Sequence, residues 1–489
     1  MATNPNVRHY FGIDFGTTNC AIYGFTQSGN KITKIQYGDE EGQPFPSIVA
    51  INNETGEVFT GRSAWRKKNE LDETCTIFSS VKTVIDKDET YTIAGKVWTP
   101  VMIATELFKM LKREVKKRTG AILDEATVAI PVGMSAPKRA TIRKAALEAG
   151  IEICSFVSEP TAAFLANYRE LRAAKNIAVF DWGGGTLDCS VISHNKGKIE
   201  ELASDGMYRA GDDIDKELAE RVHAIVASAK NSSLAFEDMP STARDKMLVR
   251  CEQTKINFED KTDKSIIIPN YGDLKVVNQK LSYDWFCEVI RPKIEKAMEC
   301  LERTIRQSGV GEANIDKILL VGGSSNLAPL CAEMKKKFGD RVISPEEKMW
   351  SVAKGAAIIT IEPGAYMSNQ SIGLKMSDGS YFELLPKNKK LFRWNVRNTF
   401  GIVDSSKEAR FIFSGSKDID ESDDHYKVLE IPTYKFLEEM INLVAFVDDD
   451  LVFTVVAGSS MRPKAYRRVW QYLKLKTYFM FPDEEIFNI

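Results

Sequence analysis

The chain has 489 residues, enough for about two to four domains, and its 43% hydrophobic and 27% charged residues are typical of a globular protein. Lys and Arg number 66 against 68 Asp and Glu, and the net charge of -2 argues against a chain-wide nucleic-acid surface. The sequence has no apolar run of membrane-spanning length, no secretory signal and no C-x-x-C pair among its eight cysteines. We therefore expect a cytoplasmic protein with reduced thiols and neither a zinc site nor a membrane span.

The most informative feature is a hairpin motif that occurs twice. YFGIDFGTTNCAIYGF at residues 10–25 and IAVFDWGGGTLDCSVI at residues 177–192 each contain an apolar strand, an Asp, an aromatic residue, a glycine turn and a second apolar strand. Asp14 aligns with Asp181 when the two copies are superimposed. The repeat predicts two related lobes, each built on one such hairpin.

Helices and strands alternate around these hairpins. The apolar spacing predicts helices at 104–118, from 135 to about 149, at about 161–174, at 212–229 and at 284–308. Buried strands are predicted at TVAIPVG and at ILLVGG, the second of which ends in two glycines. Because strands alternate with helices, we expect an α/β domain over residues 1–362.

The composition changes near residue 362. Short alternating runs follow, among them YFELL, ARFIFSG and YKVLEI, and NLVAFVDDDLVFTVV predicts a hairpin around three Asp residues. We expect a connector at 363–370 and a β-rich domain at 371–489 that includes a basic, aromatic tail.

An Asp-x-Gly turn followed by Thr at the end of a strand is suited to phosphate. The glycine lets the backbone approach a ligand, the turn N–H groups form an anion cradle, and the Asp can hold Mg²⁺ through water. Two such hairpins facing each other would hold a polyphosphate from both sides, and the Gly322-Gly323-Ser324 turn would take the nucleoside end. A single turn of this kind is more often a plain hairpin; the repetition favours a nucleotide triphosphatase without a P-loop.

At these residues the sequence resembles the DnaK-type heat-shock chaperones, the seventy-kilodalton class within the actin-like ATPase superfamily. The matching segments follow the family's order: FGIDFGTTN, IFSSVKTVI, VAIPVGMSAPKRATIRKAALEAGI, VSEPTAAFLANY, FDWGGGTLDCSV, AGDDIDKEL, CEQTK and LLVGGSSNL. The resemblance covers about residues 8–362 and implies a two-lobed actin-like ATPase domain with duplicated phosphate hairpins. A weaker resemblance of SIGLKMSDGSYFELLPKNKKL implies a small β-sandwich-like domain after it; an unrelated β-domain is the alternative.

The resemblance also implies roles for individual residues. Asp14 and Asp181 would flank a hydrated Mg²⁺, Lys82 would position the attacking water, Glu159 would link the catalytic centre to the other domain, and Asp188 would lie near the magnesium waters. A solvated helix lysine and a helix-start carboxylate are the structural alternatives for Lys82 and Glu159. The residues that would bind ATP are Gly16, Thr17, Thr18, Asn19, Gly183, Gly184, Gly185, Thr186, Gly211, Glu252, Lys255, Gly322, Gly323, Ser324 and Asn326.

The sequence departs from the family pattern at the base end of this site. The family places an Arg directly after the lysine that matches Lys255 and a second Arg in the last glycine turn, whereas this chain has Ile256 and Asn326. In the family the two arginines sandwich the adenine. We therefore expect an ATP site in which binding of the base is weaker or altered.

The connector and the tail also depart from the family pattern. ITIEPGAYMSNQ lacks the family's leucines and valines and contains Pro363 and Gly364, and we expect no full helical lid. The tail's aromatic residues are expected to pack on the β-domain with the charges solvated; binding of single-stranded nucleic acid or a membrane surface is the alternative. The tail residues concerned are Arg462, Lys464, Tyr466, Arg467, Arg468, Trp470, Tyr472, Lys474 and Lys476.

Together these features indicate an ATP hydrolase of the chaperone type that uses ATP and Mg²⁺. Its nucleotide state would control the binding of an extended peptide or a protein client, with J-domain and nucleotide-exchange proteins as further partners. The alternative is a nucleotide-dependent adaptor or assembly scaffold for one dedicated partner. A filament-forming protein and a sugar kinase share the fold, but they account for fewer of the motifs.

Overall fold

The structure is a computed structural model that describes residues 7–29, 31–70, 74–208, 210–361, 365–402, 407–418, 422, 424–433, 439–462 and 467–481. Pro363 and Gly364 of the predicted connector, and Lys464 and Tyr466 of the predicted tail, lie outside these residues.

Lobe one is built on a sheet of strand order β11-β10-β1-β2-β3, with β4 beside β2. Strands β1, β10 and β11 run parallel, whereas β1, β2 and β3 form an antiparallel meander. The smaller sheets of this lobe are β6-β5-β7 and β8-β9. The strands are β1 (Val7–Phe15), β2 (Asn19–Ser28), β3 (Lys31–Tyr37), β4 (Phe45–Pro46), β5 (Ile48–Asn52), β6 (Val58–Thr60), β7 (Cys75–Ser79), β8 (Tyr91–Ile93), β9 (Lys96–Trp98), β10 (Glu125–Ile130) and β11 (Glu152–Ser158).

Lobe two repeats this topology. Its strands are β12 (Asn176–Trp182), β13 (Leu187–Asn195), β14 (Lys198–Met207), β15 (Lys264–Ile268), β16 (Val277–Leu281), β17 (Lys317–Val321) and β18 (Val342–Ile343). The sheet order β18-β17-β12-β13-β14 has the same parallel and antiparallel pairings as lobe one. Asp14 lies opposite Ala129 of the parallel neighbour strand, and Asp181 lies opposite Val321 in the same way. The predicted duplication is confirmed.

The helices agree with the predicted positions apart from one. The helix predicted at about 161–174 is divided at Asn167, where φ is -113° and the side-chain amide donates to the Ala163 carbonyl at 2.8 Å. No helix in the described part of the chain is both long and apolar enough to cross a membrane. The helices are α1 (Arg62–Glu70), α2 (Val81–Val84), α3 (Pro100–Thr119), α4 (Ala136–Glu148), α5 (Glu159–Ala166), α6 (Tyr168–Leu171), α7 (Gly211–Ala229), α8 (Ser241–Asn257), α9 (Tyr283–Gln307), α10 (Ala328–Phe338) and α11 (Ser351–Ile361), with short 3-10 turns at Phe258–Asp260, Gly272–Leu274, Glu312–Asn314, Gly323–Asn326, Gly339–Arg341 and Lys348–Trp350.

The two lobes share a buried apolar cluster in addition to the cluster inside each lobe. Helices α5 and α11 cross between the sheets, and Phe164, Leu165 and Ile359 are buried there with Val157 of lobe one and Leu319 of lobe two. Burial of a side chain of this size stabilises the fold by roughly 1.5–3 kcal/mol. This packing fixes the start of α5 at the mouth of the cleft between the lobes.

Most of the described residues after α11 form a β-sandwich with the sheets β21-β20-β23-β24 and β22-β25-β26-β27. Leu374 and Phe413 of one sheet and Leu443 and Val455 of the other are buried between the layers. The predicted β-rich region after the α/β domain is confirmed. The strands are β19 (Ala365–Ser368), β20 (Ile372–Lys375), β21 (Tyr381–Leu385), β22 (Asn395–Gly401), β23 (Glu408–Ser414), β24 (Lys427–Pro432), β25 (Met440–Val447), β26 (Phe453–Ser459), β27 (Arg467–Tyr472) and β28 (Thr477–Met480).

Two aromatic residues of the predicted tail, Trp470 and Tyr472, pack on the sandwich. The ring of Trp470 lies 4.5 Å from that of Phe413, and Tyr472 is buried, whereas Arg467 and Arg468 are exposed. For these two rings this is the packing arrangement expected from the sequence.

Strand β28 does not belong to the sandwich. It lies antiparallel to β14 at the edge of the lobe-two sheet, and β19 pairs with its other side. The predicted β-domain spans residues 371–489, so its last described strand returns to the α/β part of the chain. No local sequence pattern indicates this pairing, because Lys198 and its partner Met480 are far apart in the chain.

Candidate active site

A cleft of about 1520 Å³ separates the two lobes. Every site residue predicted from the sequence lines this cleft except Gly211. Gly211 lies just behind the wall, where its N–H donates to the Gly183 carbonyl at 3.2 Å. The fold therefore brings together residues from both hairpins, from α5 and from the Gly322 turn.

The two glycine turns face each other across the cleft. A Cβ atom on Gly184 would lie 2.5 Å from Thr18 Oγ1, and one on Gly185 would lie 3.1 Å from Thr17 Cγ2. Only glycine permits so close an approach. The Thr18 hydroxyl is buried and has no hydrogen-bond partner among the described residues, so it is free to bind a ligand. This geometry fits a group, such as a phosphate, that accepts hydrogen bonds from both turns.

Lys82 and Glu159 form a buried ion pair at the side of the cleft. Lys82 lies in the short helix α2, and Glu159 is the first residue of α5, which is capped by the Ser158 hydroxyl. The Nζ–Oε1 distance is 2.9 Å, and the side chains are 7% and 12% exposed. Burial opposes the charge, but Glu159 and Asp14 outweigh it and raise the pKa of Lys82. Lys82 is therefore a charged, oriented ammonium group rather than a solvated helix lysine.

The carboxylates of the cleft repel one another. Burial, reinforced by the charge of Glu159, raises the pKa of Asp14 to about 7. Burial with Glu159 and Asp14 nearby raises the pKa of Asp181 well above its usual range, and burial with Glu159 raises that of Asp188 to about 6. Lys82 alone does not balance this charge, so the cluster favours a bound cation.

The arrangement suits a cation that keeps its water. Among the described residues, no group of three His, Cys, Asp or Glu side chains is arranged to hold a metal ion directly. Mg²⁺ usually keeps several waters and takes one or two carboxylates together with substrate phosphates. Asp14 and Asp181, which end equivalent strands beside the two phosphate-type turns, fit this requirement.

The end of the cleft expected to take the nucleoside base is lined by different side chains. Lys255 is paired with the buried Asp215 at 2.7 Å and donates to the Gly211 carbonyl at 3.0 Å. Ile256 is 58% exposed and lines the cleft together with Asn326. A nucleoside base here would meet an aliphatic and an amide side chain, as the sequence departures predicted.

Sequence reasoning missed two residues that support the site. Asp215 accepts a hydrogen bond from Lys255. The sequence pattern that could have identified it is a carboxylate on the apolar face of α7, beside Ile214 and Leu218. Ser47 donates to the Gly16 carbonyl at 2.8 Å and so fixes the first turn. Ser47 carried no sequence signal, because the contact joins segments that no local motif connects.

The last glycine turn also depends on its backbone. Gly322 has φ +81°, and a Cβ atom there would lie 2.5 Å from Asp181 Oδ1. A side chain at this position would strain the turn and displace the Asp181 carboxylate.

Comparison with known proteins gives a matching family model and relatives that include two chaperone proteins. A family model described as Hsp70 protein matches residues 85–370. The chain is 26% identical over 357 residues to the chaperone protein DnaK of Nitrosopumilus maritimus, covering 71% of this chain and 55% of that protein. It is 27% identical over 402 residues to the chaperone protein DnaK of Thermosipho africanus, covering 78% of this chain and 65% of that protein.

The match therefore includes Glu159, Asp181 and Asp188, whereas Asp14 and Lys82 lie before its first residue. The aligned part of the chain spans 55% to 65% of the length of these two relatives. Because the family model covers more than half of the chain, the chain belongs to the Hsp70 protein family.

Proposed function

We propose that the chain is a Mg²⁺-dependent ATP hydrolase of the chaperone type. One observation carries the proposal: two Asp-containing hairpins face each other across the cleft, with the Lys82–Glu159 pair beside them. Both relatives are named chaperone protein DnaK, which supports the same class of function.

The residues of the cleft can each contribute to hydrolysis. Thr17 and Thr18, with the backbone N–H groups of residues 184–186, would hold the terminal phosphates from opposite sides. Bound Mg²⁺, held through water near Asp14 and Asp181, would neutralise charge on the phosphates. Positioning and electrostatics supply most of the catalysis of phosphoryl transfer, so a preformed cleft of this kind is what the reaction needs.

Lys82 would orient the attacking water. Its ammonium group is held at 2.9 Å by Glu159 and faces the carboxylate cluster. The water oxygen would form a bond to the γ-phosphorus while the bond to the ADP oxygen breaks, and the water's proton passes to solvent or phosphate. No covalent intermediate is required.

The β-sandwich would carry the client. An extended peptide could add to a sandwich edge as a further strand, using main-chain hydrogen bonds. The turn at Asp448–Asp450 contacts α4, where Arg143 Nη2 lies 3.1 Å from Asp450 Oδ1. Through such contacts the nucleotide state would alter the grip on the client, and J-domain and exchange proteins would act on the cycle.

Steady-state phosphate release from ATP with Mg²⁺ tests the enzymatic part of the proposal. Asp181→Asn is expected to lower kcat by about 100-fold or more, because it removes a charge that the reaction uses. The matched control is Asp340→Asn, whose carboxylate is exposed and outside the cleft. Turnover of Asp181→Asn at the wild-type rate would contradict the assignment.

The second candidate function is a nucleotide-dependent adaptor for one partner. Strand β28 pairs with both β14 and β19, the strand formed by the predicted connector. This pairing favours the adaptor, because it holds the connector in place on the lobe-two sheet. A panel of extended apolar peptides separates the two functions. Turnover that rises with many unrelated peptides supports the chaperone, whereas nucleotide binding with no peptide response supports the adaptor.

A further inference from the structure

Strand β14 of lobe two has a β-bulge close to the cleft. Glu201 and Ala203 lie opposite two consecutive residues of β13, so Leu202 is the extra residue of the bulge. A bulge bends its strand and redirects the side chains beside it, and bulges are frequent next to active sites. The side chains on either side of Leu202 are therefore the ones that the bulge redirects.

Glu201 lies on the face of β14 that is turned towards the apolar cluster between the lobes. Ile199, two residues earlier and thus on the same face of the strand, is buried in that cluster. Glu201 is partly buried and is not among the residues that line the cleft. A carboxylate at such a position is costly unless hydrogen-bond donors satisfy it.

Two hydroxyls at the start of α5 donate to this carboxylate. The Ser158 hydroxyl donates to Glu201 Oε1, and so does the Thr161 hydroxyl, at 3.0 Å. Ser158 Oγ also accepts from the Thr161 N–H at 3.4 Å, which makes Ser158 the N-cap of α5. One carboxylate oxygen of lobe two thus holds both the capping residue and the first turn of the helix.

The catalytic-type ion pair begins between these two held residues. Glu159 is the first residue of α5, directly after Ser158, and it accepts from Lys82 at 2.9 Å. Ser158 is also the last residue of β11 in lobe one. The contacts of Glu201 therefore run from the lobe-two sheet to the end of a lobe-one strand and, through the helix start, to the ion pair in the cleft.

Resting on the proposed ATPase function, we infer that Glu201 is a positioning residue for the Lys82–Glu159 pair. By accepting from both hydroxyls it fixes the first turn of α5, and that turn sets the direction of the Glu159 carboxylate. The carboxylate in turn orients the Lys82 ammonium group. Because Glu201 acts as a hydrogen-bond acceptor, an uncharged acceptor of the same shape should keep most of the effect.

The test compares Glu201→Ala with Glu201→Gln in the full chain. The first change removes the acceptor, whereas the second keeps a carbonyl oxygen on a side chain of the same length. Glu148→Ala is the matched control, because Glu148 also accepts from a threonine hydroxyl, that of Thr105 at 3.3 Å, but on α4 and outside the cleft. ATP turnover gives kcat and KM, amide hydrogen exchange reports on residues 159–166 without nucleotide, and thermal midpoints show that each variant is folded.

Glu201→Ala is expected to lower kcat about five- to thirtyfold at unchanged KM, because two hydrogen bonds at the helix start are lost. It should also speed exchange at the start of α5. Glu201→Gln should stay within about threefold of the wild-type kcat, and Glu148→Ala should change neither quantity. The inference is overturned if Glu201→Ala keeps the wild-type kcat or the wild-type exchange at α5, or if Glu201→Gln is no better than Glu201→Ala.

Thr161→Val tests the same contact from the helix. This change removes one of the two donors and should lower kcat on its own, but it should have little further effect in a chain that already carries Glu201→Ala. Equal effects in both backgrounds would overturn the inference. Should Glu201→Ala fail to fold, Thr161→Val decides: lower kcat with faster exchange at α5 supports the inference, and wild-type values of either overturn it.

Failure of the proposed function has a different signature. If the wild-type chain does not turn over ATP at all, the ATPase assignment fails. The exchange data then decide alone whether Glu201 holds the start of α5: faster exchange in Glu201→Ala supports the contact, and unchanged exchange overturns it.

Discussion

At the scale of single residues, the cleft concentrates carboxylates around one lysine. Burial and the charge of Glu159 raise the pKa values of Asp14, Asp181 and Asp188, and Lys82 balances only part of the negative charge. Such a cluster is unfavourable for folding unless a ligand neutralises it. Sites built for charged substrates commonly carry this cost.

The unfavourable burial of these carboxylates predicts how the stability of the nucleotide-free protein depends on pH. The folded-state pKa of Asp14 is about 7, above its ordinary value of 3.8, so the folded protein binds more protons than the unfolded chain between these values. The contribution of this group to stability is complete below about pH 4 and is lost as pH rises through about 7. Asp14→Asn should therefore stabilise the nucleotide-free protein at pH 8 by roughly 1–2 kcal/mol.

Thermal unfolding at pH 5.5 and pH 8 measures this effect. The gain from Asp14→Asn over wild type should be larger at pH 8, and Asp340→Asn should give no gain at either pH. An Asp14→Asn variant that is no more stable than wild type at pH 8 would contradict the electrostatic account of the cleft.

The two glycine turns of the cleft could be predicted from the residues alone, because the motif that carries them is local, whereas the roles of Lys82, Glu159 and Asp188 were implied only by the family resemblance. Asp14 and Thr17 lie in one turn, and Asp181 and Thr186 lie in its repeat, so spacing alone brings each set together. The pairing of Lys255 with Asp215 could not be predicted with the same ease. It joins α8 to α7 through side chains, and no spacing rule connects the two helices.

At the scale of elements, helix α8 forms the base end of the cleft. Its last turn presents Ile256 to the cleft, where a guanidinium group would offer a flat surface for stacking. Ile256→Arg should therefore tighten ATP binding about two- to thirtyfold, corresponding to roughly 0.5–2 kcal/mol of cation–π stacking.

Equilibrium titration with ATP and with inorganic triphosphate measures this change. The triphosphate affinity should stay constant, because it has no base to stack. Ile267→Arg is the matched control, since Ile267 is 53% exposed and outside the cleft. Equal ATP affinity in wild type and Ile256→Arg would show that the base does not lie against α8.

The helices and strands also show which features of the fold local sequence patterns can predict and which they cannot. The repeated hairpins were predictable because alternation and turn residues are local signals. The break at Asn167 was not, because a side-chain hydrogen bond to the Ala163 carbonyl ends α5 within an apolar stretch. The pairing of β28 with β14 depends on a long-range contact that alternation cannot reveal.

At the scale of the whole molecule, the sandwich and the α/β part are joined at several places. Asp450 meets Arg143 and the backbone carbonyl of Asp450 accepts from Arg139, both on α4, while Asn369 donates to Glu200 at 2.6 Å. Strands β19 and β28 continue the lobe-two sheet. The part proposed to bind a client is thus in contact with the elements that frame the cleft.

Single-turnover hydrolysis of bound ATP, with nucleotide binding measured in parallel, tests the central claim most directly. Lys82→Ala is compared with Lys109→Ala, whose lysine forms an exposed pair with Glu106 at 2.8 Å. The account predicts that Lys82→Ala still binds ATP but loses about 100-fold or more in rate, while Lys109→Ala matches wild type. Hydrolysis by Lys82→Ala at the wild-type rate would contradict the account.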